Sequence, residues 1–303
     1  MKRILITGAG SYIGTNVENY LNKYNAALGK AHYVVDTLSQ LEESWRNVSF
    51  ASYDAIFHVT GIAHADTSKV SEETKALYYR VNCDLAVETA QKAAAEGVKQ
   101  FIYMSSIIVY GESAPVGGTR RITANTEPAP ANFYGDSKLQ AERGLSKVEG
   151  IKMVILRPPF IYGKGSKGNY PLLSKLARKL PFFPTIQNER SMLYVENLCE
   201  FVRVMIEQER EGIVFPQNSQ YTSTSDMVMQ IAAVHDKKML GLGVLNPIVT
   251  LLSRVPGKVG RIVNKAFGSL SYDMSMSDIG ADYQVYSLAE SIRKTEEVPC
   301  EYQ

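Results

Sequence analysis

Short apolar runs alternate with longer stretches of helical period through the first half of the chain. The apolar runs are Arg3–Thr7, Tyr33–Leu38, Tyr53–Val59 leading into Thr60-Gly61, Gln100–Met104 and Ile151–Leu156. The runs that are apolar throughout predict strands buried on both faces, as in a parallel sheet. Between them, Ile13, Val17, Tyr20 and Leu21 recur at helical spacing. So do Val81, Leu85, Ala86, Ala90 and Ala93, in a predicted helix over 81–95 that Gly97 stops. A short helix is predicted over Leu41–Asn47. Strand–helix alternation of this kind predicts an α/β chain with a doubly wound parallel sheet and right-handed crossovers. Only one strand fits between Lys23 and Tyr53, where the standard doubly wound fold has two.

The pattern changes near Gly163. Helices are predicted at 172–179, 195–208 and 225–235, with one further strand at 212–216, separated by Pro, Gly and Asn loops. This divides the chain into a sheet-bearing α/β domain over 1–163 and a smaller mixed α/β lobe over 164–303, built on the sheet and not clearly an independent unit. Residues 244–270 carry apolar helical periodicity together with Arg254, Lys258, Arg261 and Lys265. That stretch reads as a covering or subunit-contact segment in preference to an interfacial membrane helix.

Composition narrows the partners. Of 303 residues 45% are apolar and 21% charged, and the net charge of +2 comes without a block of like charges, so nothing favours nucleic acid. The Met1–Gly8 stretch turns to glycine after three apolar residues, too soon for a secretory leader, and no run reaches the ~18 apolar residues of a spanning helix. Cys83, Cys199 and Cys300 are scattered, and with His32, His58, His64 and His235 they form no metal-ligand spacing. Reduced thiols and a cytoplasmic location are the expectation.

The first predicted strand breaks into Gly8-Ala9-Gly10-Ser11-Tyr12-Ile13-Gly14 and a helix follows, which makes the segment Rossmann-like. Gly8 allows the tight turn, Gly10 lets backbone approach a pyrophosphate, and Gly14 lets helix pack on sheet. Asp36 is a candidate for the acid that accepts from the ribose hydroxyls; the alternatives are that it belongs to the next strand, whose end touches adenine, or that it is an acid at a strand end with no ligand.

The chemistry centres on 101–138. A strand ends in Ser105-Ser106, and Tyr134-Gly135-Asp136-Ser137-Lys138 enters a helix. Tyr134 and Lys138, one turn apart, share a face. A lysine cation beside the phenol is expected to lower its pKa from ~10 towards that of a working base. Ser106, at the carboxyl end of a parallel strand, is placed to hold a substrate oxygen and relay its proton. Strand alternation sends Ser105 to the other side, towards cofactor or core.

Together Thr7–Gly14, His58-Val59-Thr60-Gly61, Val81-Asn82, Met104–Gly111, Tyr134–Lys138, Leu156–Gly163 and Arg190–Leu198 give the chain a resemblance to the extended short-chain dehydrogenase/reductases, in the NAD-dependent epimerase/dehydratase branch that acts on nucleotide sugars. The resemblance covers 3–200 well and the remainder loosely. It implies Ser106, Tyr134 and Lys138 as catalytic residues. For the cofactor, NAD with NADP not excluded, it implies the glycine loop with Ser11, Tyr12 and Ile13, then Val59, Thr60, Gly61, Ser105, Pro158 and Phe160. Asn169 and Arg190 fall on the sugar-nucleotide side, Arg190 on the diphosphate, with Arg261 a further candidate there. A helix-paired homodimer is the family's habit.

Two departures narrow this. Ser11 stands where many relatives carry glycine. Ile107-Ile108 follow Ser106 where water-eliminating members need an Asp-Glu pair, which excludes 4,6-dehydration. The expected activity is a nucleotide-sugar 4-epimerase working through a transient 4-keto sugar. A nucleotide-4-keto-sugar reductase for surface polysaccharide precursors is the alternative, and a non-enzymatic dinucleotide sensor a remote one.

Overall fold

The structure, a computed structural model, describes residues 1–63 and 70–297; His64 and Cys300 lie outside them. The chain runs β1 (Lys2–Thr7), α1 (Tyr12–Leu28), β2 (Tyr33–Leu38), β3 (Ala55–His58), α2 (Glu72–Tyr79), α3 (Leu85–Ala95), β4 (Gln100–Met104), β5 (Arg121–Ile122), α4 (Phe133–Leu145), β6 (Lys152–Leu156) and β7 (Phe160–Tyr162). It continues through α5 (Tyr170–Lys179), β8 (Phe182–Phe183), β9 (Met192–Tyr194), α6 (Val195–Gln208), β10 (Gly212–Val214), α7 (Thr224–Val234), β11 (Leu240–Gly241), α8 (Asn246–Ser253), α9 (Lys258–Phe267), β12 (Ser271–Tyr272) and α10 (Leu288–Glu296).

Six strands form one parallel sheet in the order β10-β6-β4-β3-β1-β2. Side-chain alternation sorts its residues to two faces. Ile4, Ile6, Phe57, Ile102, Val154 and Leu156 join Val17, Leu21, Leu198 and Val202 under α1 and α6. Leu5, Ile56, Phe101, Tyr103 and Ile155 join Ala86, Ala90, Ala141 and Leu145 under α3 and α4. This is the doubly wound Rossmann-like sheet. β2 is its edge strand, and between α1 and β3 the chain makes only β2 and a 3-10 turn at Glu43–Asn47, so the strand that would lie outside β2 in the standard order is missing.

The predicted helix over 81–95 starts instead in a π-helical turn, Arg80–Asp84, that continues α2 into α3; such turns gather at functional sites. The lobe after Gly163 shares the core of the sheet: Tyr170, Phe183, Met227 and Ile292 belong to the same buried cluster as Ile4 and Ile6. Outside the six-stranded sheet the strands form two- or three-residue ribbons, β5 with β12, β7 with β9 and β8 with β11, too short to read from periodicity.

Candidate active site

The carboxyl ends of β1, β3, β4 and β6 converge with the first turns of α1 and α4. At the end of β1, Gly8 (φ +89°) packs so closely that a Cβ would come within 2.9 Å of the Thr60 nitrogen. Gly10 (φ +73°) has a left-handed backbone that favours glycine, and a Cβ there would meet nothing within 4 Å. Ser11 accommodates the lost glycine because its backbone is extended (φ −71°, ψ 149°). Its hydroxyl caps α1 by accepting from the Gly14 N–H at 3.2 Å. A Cβ on Gly14 would lie 3.2 Å from the Ile6 and Val59 methyls. A bare loop at the positive end of a 17-residue helix fits a pyrophosphate, and NAD would be held here.

Tyr12 and Ile13 open α1; the buried Tyr12 hydroxyl has no hydrogen-bond partner among the described residues. Val59, Thr60 and Gly61 leave β3. Thr60 donates to Gln40 Oε1 at 2.7 Å, and a Cβ on Gly61 would sit 3.2 Å from Lys138 Nζ. Asp36 does not reach this cluster. It lies opposite Leu5, two residues short of the strand end, paired with Arg3 at 3.1 Å and accepting from the Tyr53 hydroxyl at 3.0 Å. The residues at the strand end, Leu38-Ser39-Gln40, include no acid.

Asn132 caps α4 by accepting from the Gly135 N–H at 3.0 Å. A Cβ on Gly135 would strike the Ile108 carbonyl oxygen at 2.7 Å, so only glycine lets α4 approach the turn that follows Ser106. Ser106 caps that 3-10 turn, Ile107–Tyr110, and accepts from Ile108 N–H at 3.3 Å. Burial pushes the Tyr134 phenol up to about 12, with the Ser106 hydroxyl pulling the other way. The expected lowering by Lys138 is not what the structure gives. The ammonium turns away, donating to the Met104 carbonyl at 2.8 Å and lying 4.7 Å from the Tyr103 ring centroid. Burial lowers Lys138 itself to about 8, opposed by Glu142.

Glu142, one further turn along α4, escaped the sequence reading. It is buried, accepts from both Arg157 Nε (3.1 Å) and Nη2, and receives the Ser105 hydroxyl. Arg157 also donates to the Tyr110 hydroxyl at 2.6 Å. Ser105 is thus spent on the core side of the strand end, in a network that ties α4 to β4 and β6. The spacing Tyr134, Lys138, Glu142 was the available signal. Asn82, fully buried in the π-helical turn, accepts from the Ile62 N–H at 2.8 Å and donates to Ser137 Oγ at 3.1 Å. His58 shares a 2.8 Å hydrogen bond with the Thr7 hydroxyl, and burial, with the Lys138 charge, pushes it down to about 3.

Residues 4–216 match the model of the NAD dependent epimerase/dehydratase family. The chain belongs to that family. It is 30% identical over 292 residues to a UDP-glucose 4-epimerase of Vibrio cholerae, covering 90% of this chain and 88% of the relative. It is 23% identical over 320 residues to the N-acetyl-alpha-D-glucosaminyl-diphospho-ditrans,octacis-undecaprenol 4-epimerase of Escherichia coli O157:H7, covering 96% and 93%. Its fold is shared with a dTDP-4-dehydrorhamnose reductase from Bacillus anthracis (TM-score 0.73, 19% identity, 97% and 98% covered). A UDP-N-acetylglucosamine 4-epimerase from Bacillus cereus is similar too (TM-score 0.71, 15% identity, 97% and 98% covered). The protein is an NAD-dependent enzyme of the epimerase/oxidoreductase type.

The remaining site residues spread along the lobe side of this epimerase-family fold. Pro158 accepts from the Ile107 N–H at 2.9 Å, joining the end of β6 to the Ser106 turn, and Phe160 opens β7. Asn169 is exposed just before α5. Arg190 is partly buried, its guanidinium donating to the Lys265 and Gly268 carbonyls at 2.9 and 3.1 Å, and burial lowers its pKa. Arg261 is exposed on α9, with no side-chain partner among the described residues.

Proposed function

We propose that this enzyme is a nucleotide-sugar 4-epimerase acting in the cytoplasm on a UDP-hexose or UDP-N-acetylhexosamine. The carrying observation is that α4 brings Tyr134 and Lys138 under the turn that Ser106 caps, while Ile107 and Ile108 leave that turn without an acid. When bound, NAD supplies a hydride acceptor at the sugar carbon, a positive charge while oxidised, and the returning hydride. Ser106 hydrogen-bonds the C4 oxygen, and Tyr134 takes its proton and later returns it. Lys138, its ammonium anchored on the Met104 carbonyl, contributes a donor to the ribose. Glu142 and Arg157 fix the face of α4 that carries both. The Asp36 carboxylate is occupied by Arg3 and Tyr53, and the end of β2 has no acid, so a 2′-phosphate meets no repulsion there and NADP remains compatible with NAD.

Purified enzyme given UDP-glucose or UDP-N-acetylglucosamine and no added cofactor is expected to produce the 4-epimer. Protein that arrives without dinucleotide and consumes one NADH per 4-keto sugar is a reductase, and that result sinks the epimerase reading. A second reading of the substrate, a sugar diphosphate carried on lipid, is favoured by the exposed apolar surface of α8 and α9 and by the Escherichia coli relative. Offering both carriers in parallel distinguishes the two.

A further inference from the structure

The covering helices of the lobe are themselves uncovered. Half of α8 is apolar (Ile248, Val249, Leu251, Leu252), yet none of its residues is buried. Leu251 is 66% exposed and Ile248 54%; Ile262 on α9 and Val244 before α8 are exposed as well. Leu240 and Phe182, paired across the β8–β11 ribbon, continue the surface. Soluble monomers seldom leave contiguous apolar surface of this kind without a use for it.

The charge around it has one sign. Residues 164–188 and 237–272 hold eleven of the 33 Lys and Arg and none of the 31 Asp and Glu, so the rest of the chain is net acidic. The fold brings these two stretches together. Lys237 Nζ donates to the Arg178 carbonyl at 2.7 Å, and the Thr185 N–H donates to Asn246 Oδ1 at 2.9 Å. A second copy is a poor occupant. In a two-fold contact the patch meets itself, cation against cation. A layer of anionic headgroups over acyl chains matches both the charge and the apolarity.

We propose that the α8–α9 surface docks on an anionic lipid bilayer, its apolar side chains at the headgroup–acyl boundary and its lysines and arginines among the phosphates. Among the described residues no helix is long and apolar enough to span a membrane, so the chain would lie on the surface. Docking would also reach the site. Arg190 is held by the Lys265 and Gly268 carbonyls, and Asn264 accepts from the Val116 N–H at 2.9 Å in the loop that leaves the Ser106 turn. The substrate side of the cleft would therefore face the interface. The proposal rests on this surface and not on which sugar is turned over.

The test is co-sedimentation of the full chain with vesicles of phosphatidylcholine alone or with about a third phosphatidylglycerol, at low and high salt. Wild type is expected in the pellet only with the anionic vesicles, and to be released by roughly tenfold as salt screens the contact. Leu251→Glu and Ile262→Glu are expected to lose that binding about tenfold, with circular dichroism and Tm unchanged because both positions face solvent. Independently, Ile262→Trp emission should shift to the blue on adding anionic vesicles. Wild type that stays in the supernatant overturns the proposal, as does equal binding to neutral vesicles or a Leu251→Glu variant that pellets like wild type. A dimer that Leu251→Glu splits, without vesicle binding by wild type, makes the surface a contact between copies and overturns it too.

Discussion

α4 and α8 depart from the usual sorting of side chains in opposite directions. α4 buries Ser137, Lys138 and Glu142; α8 buries nothing and turns leucine and isoleucine to solvent. The difference is in the partners. Each buried polar group of α4 is answered within the chain: Lys138 by the Met104 carbonyl, Glu142 by Arg157 and Ser105, Ser137 by Asn82. The apolar face of α8 touches α9 but is buried by none of the described residues. A buried charge with a complete set of partners is chemistry already assembled. An exposed apolar helix is an environment that something outside the chain completes.

The largest effect is expected where α4 meets the substrate. Tyr134→Phe removes the proposed proton carrier and leaves the ring, so turnover should fall by about 10²–10⁴-fold while Tm holds. Steady-state kinetics with Tm on the same preparation checks both halves, and full activity of the variant would take the proton-carrier role from Tyr134. The charge on the neighbouring turn has its own signature. Lys138, lowered to about 8, loses its proton as pH rises through that value, so kcat/KM should decline on an alkaline limb centred near it. Lys138→Arg keeps the charge and should flatten the limb, at a reduced rate because the stem differs. Stability moves the other way. From pH 8 up to the ordinary lysine range the unfolded chain binds more protons than the folded one, so stability should rise with pH, which urea titration at each pH measures.

Next in size is Glu142. Glu142→Gln leaves the Arg157 guanidinium buried without its carboxylate, a loss of about 3–5 kcal/mol where one partner of a buried pair is removed. Denaturant titration reads that loss. Because Glu142 also holds Lys138 up, the alkaline limb should move below 8 in this variant, which loss of packing alone would not produce. An unmoved limb would confine Glu142 to a structural role.

The sheet was legible because its strands are apolar on both faces and its glycines stand at fixed places; β1, β4 and β6 lie within a residue of where their apolar runs put them. The short region before Tyr53 told correctly of a missing strand, since counting strands needs only the pattern. What the pattern could not show was where a side chain is held. Asp36 looks like a strand-end acid until the register sets it opposite Leu5 and beside Arg3. Lys138 looks like a partner for Tyr134 until the Met104 carbonyl claims its ammonium. Glu142 looks like surface charge until Arg157 arrives from just past the end of β6, fifteen residues later. The α8–α9 periodicity was plain, and it suggested a cover over something; only exposure reveals that its apolar face points outward.

The smallest expected effect sharpens the comparison most directly, because it asks the same substitution of both helices. Leu139 on α4 is 6% exposed and packs with Val109, Tyr110 and Tyr272. Leu139→Ala should cost about 2–5 kcal/mol, the range for a leucine removed from a core. Leu251 on α8 is 66% exposed, so Leu251→Ala should stay within about 0.5 kcal/mol in free solution. Adding anionic vesicles should open a gap between wild type and Leu251→Ala, because a surface that binds only the folded state adds stability by mass action, and should leave the Leu139→Ala deficit unchanged. Thermal unfolding of the three proteins with and without vesicles decides it. A Leu251→Ala deficit of core size without lipid would mean that α8 is already covered by protein in solution.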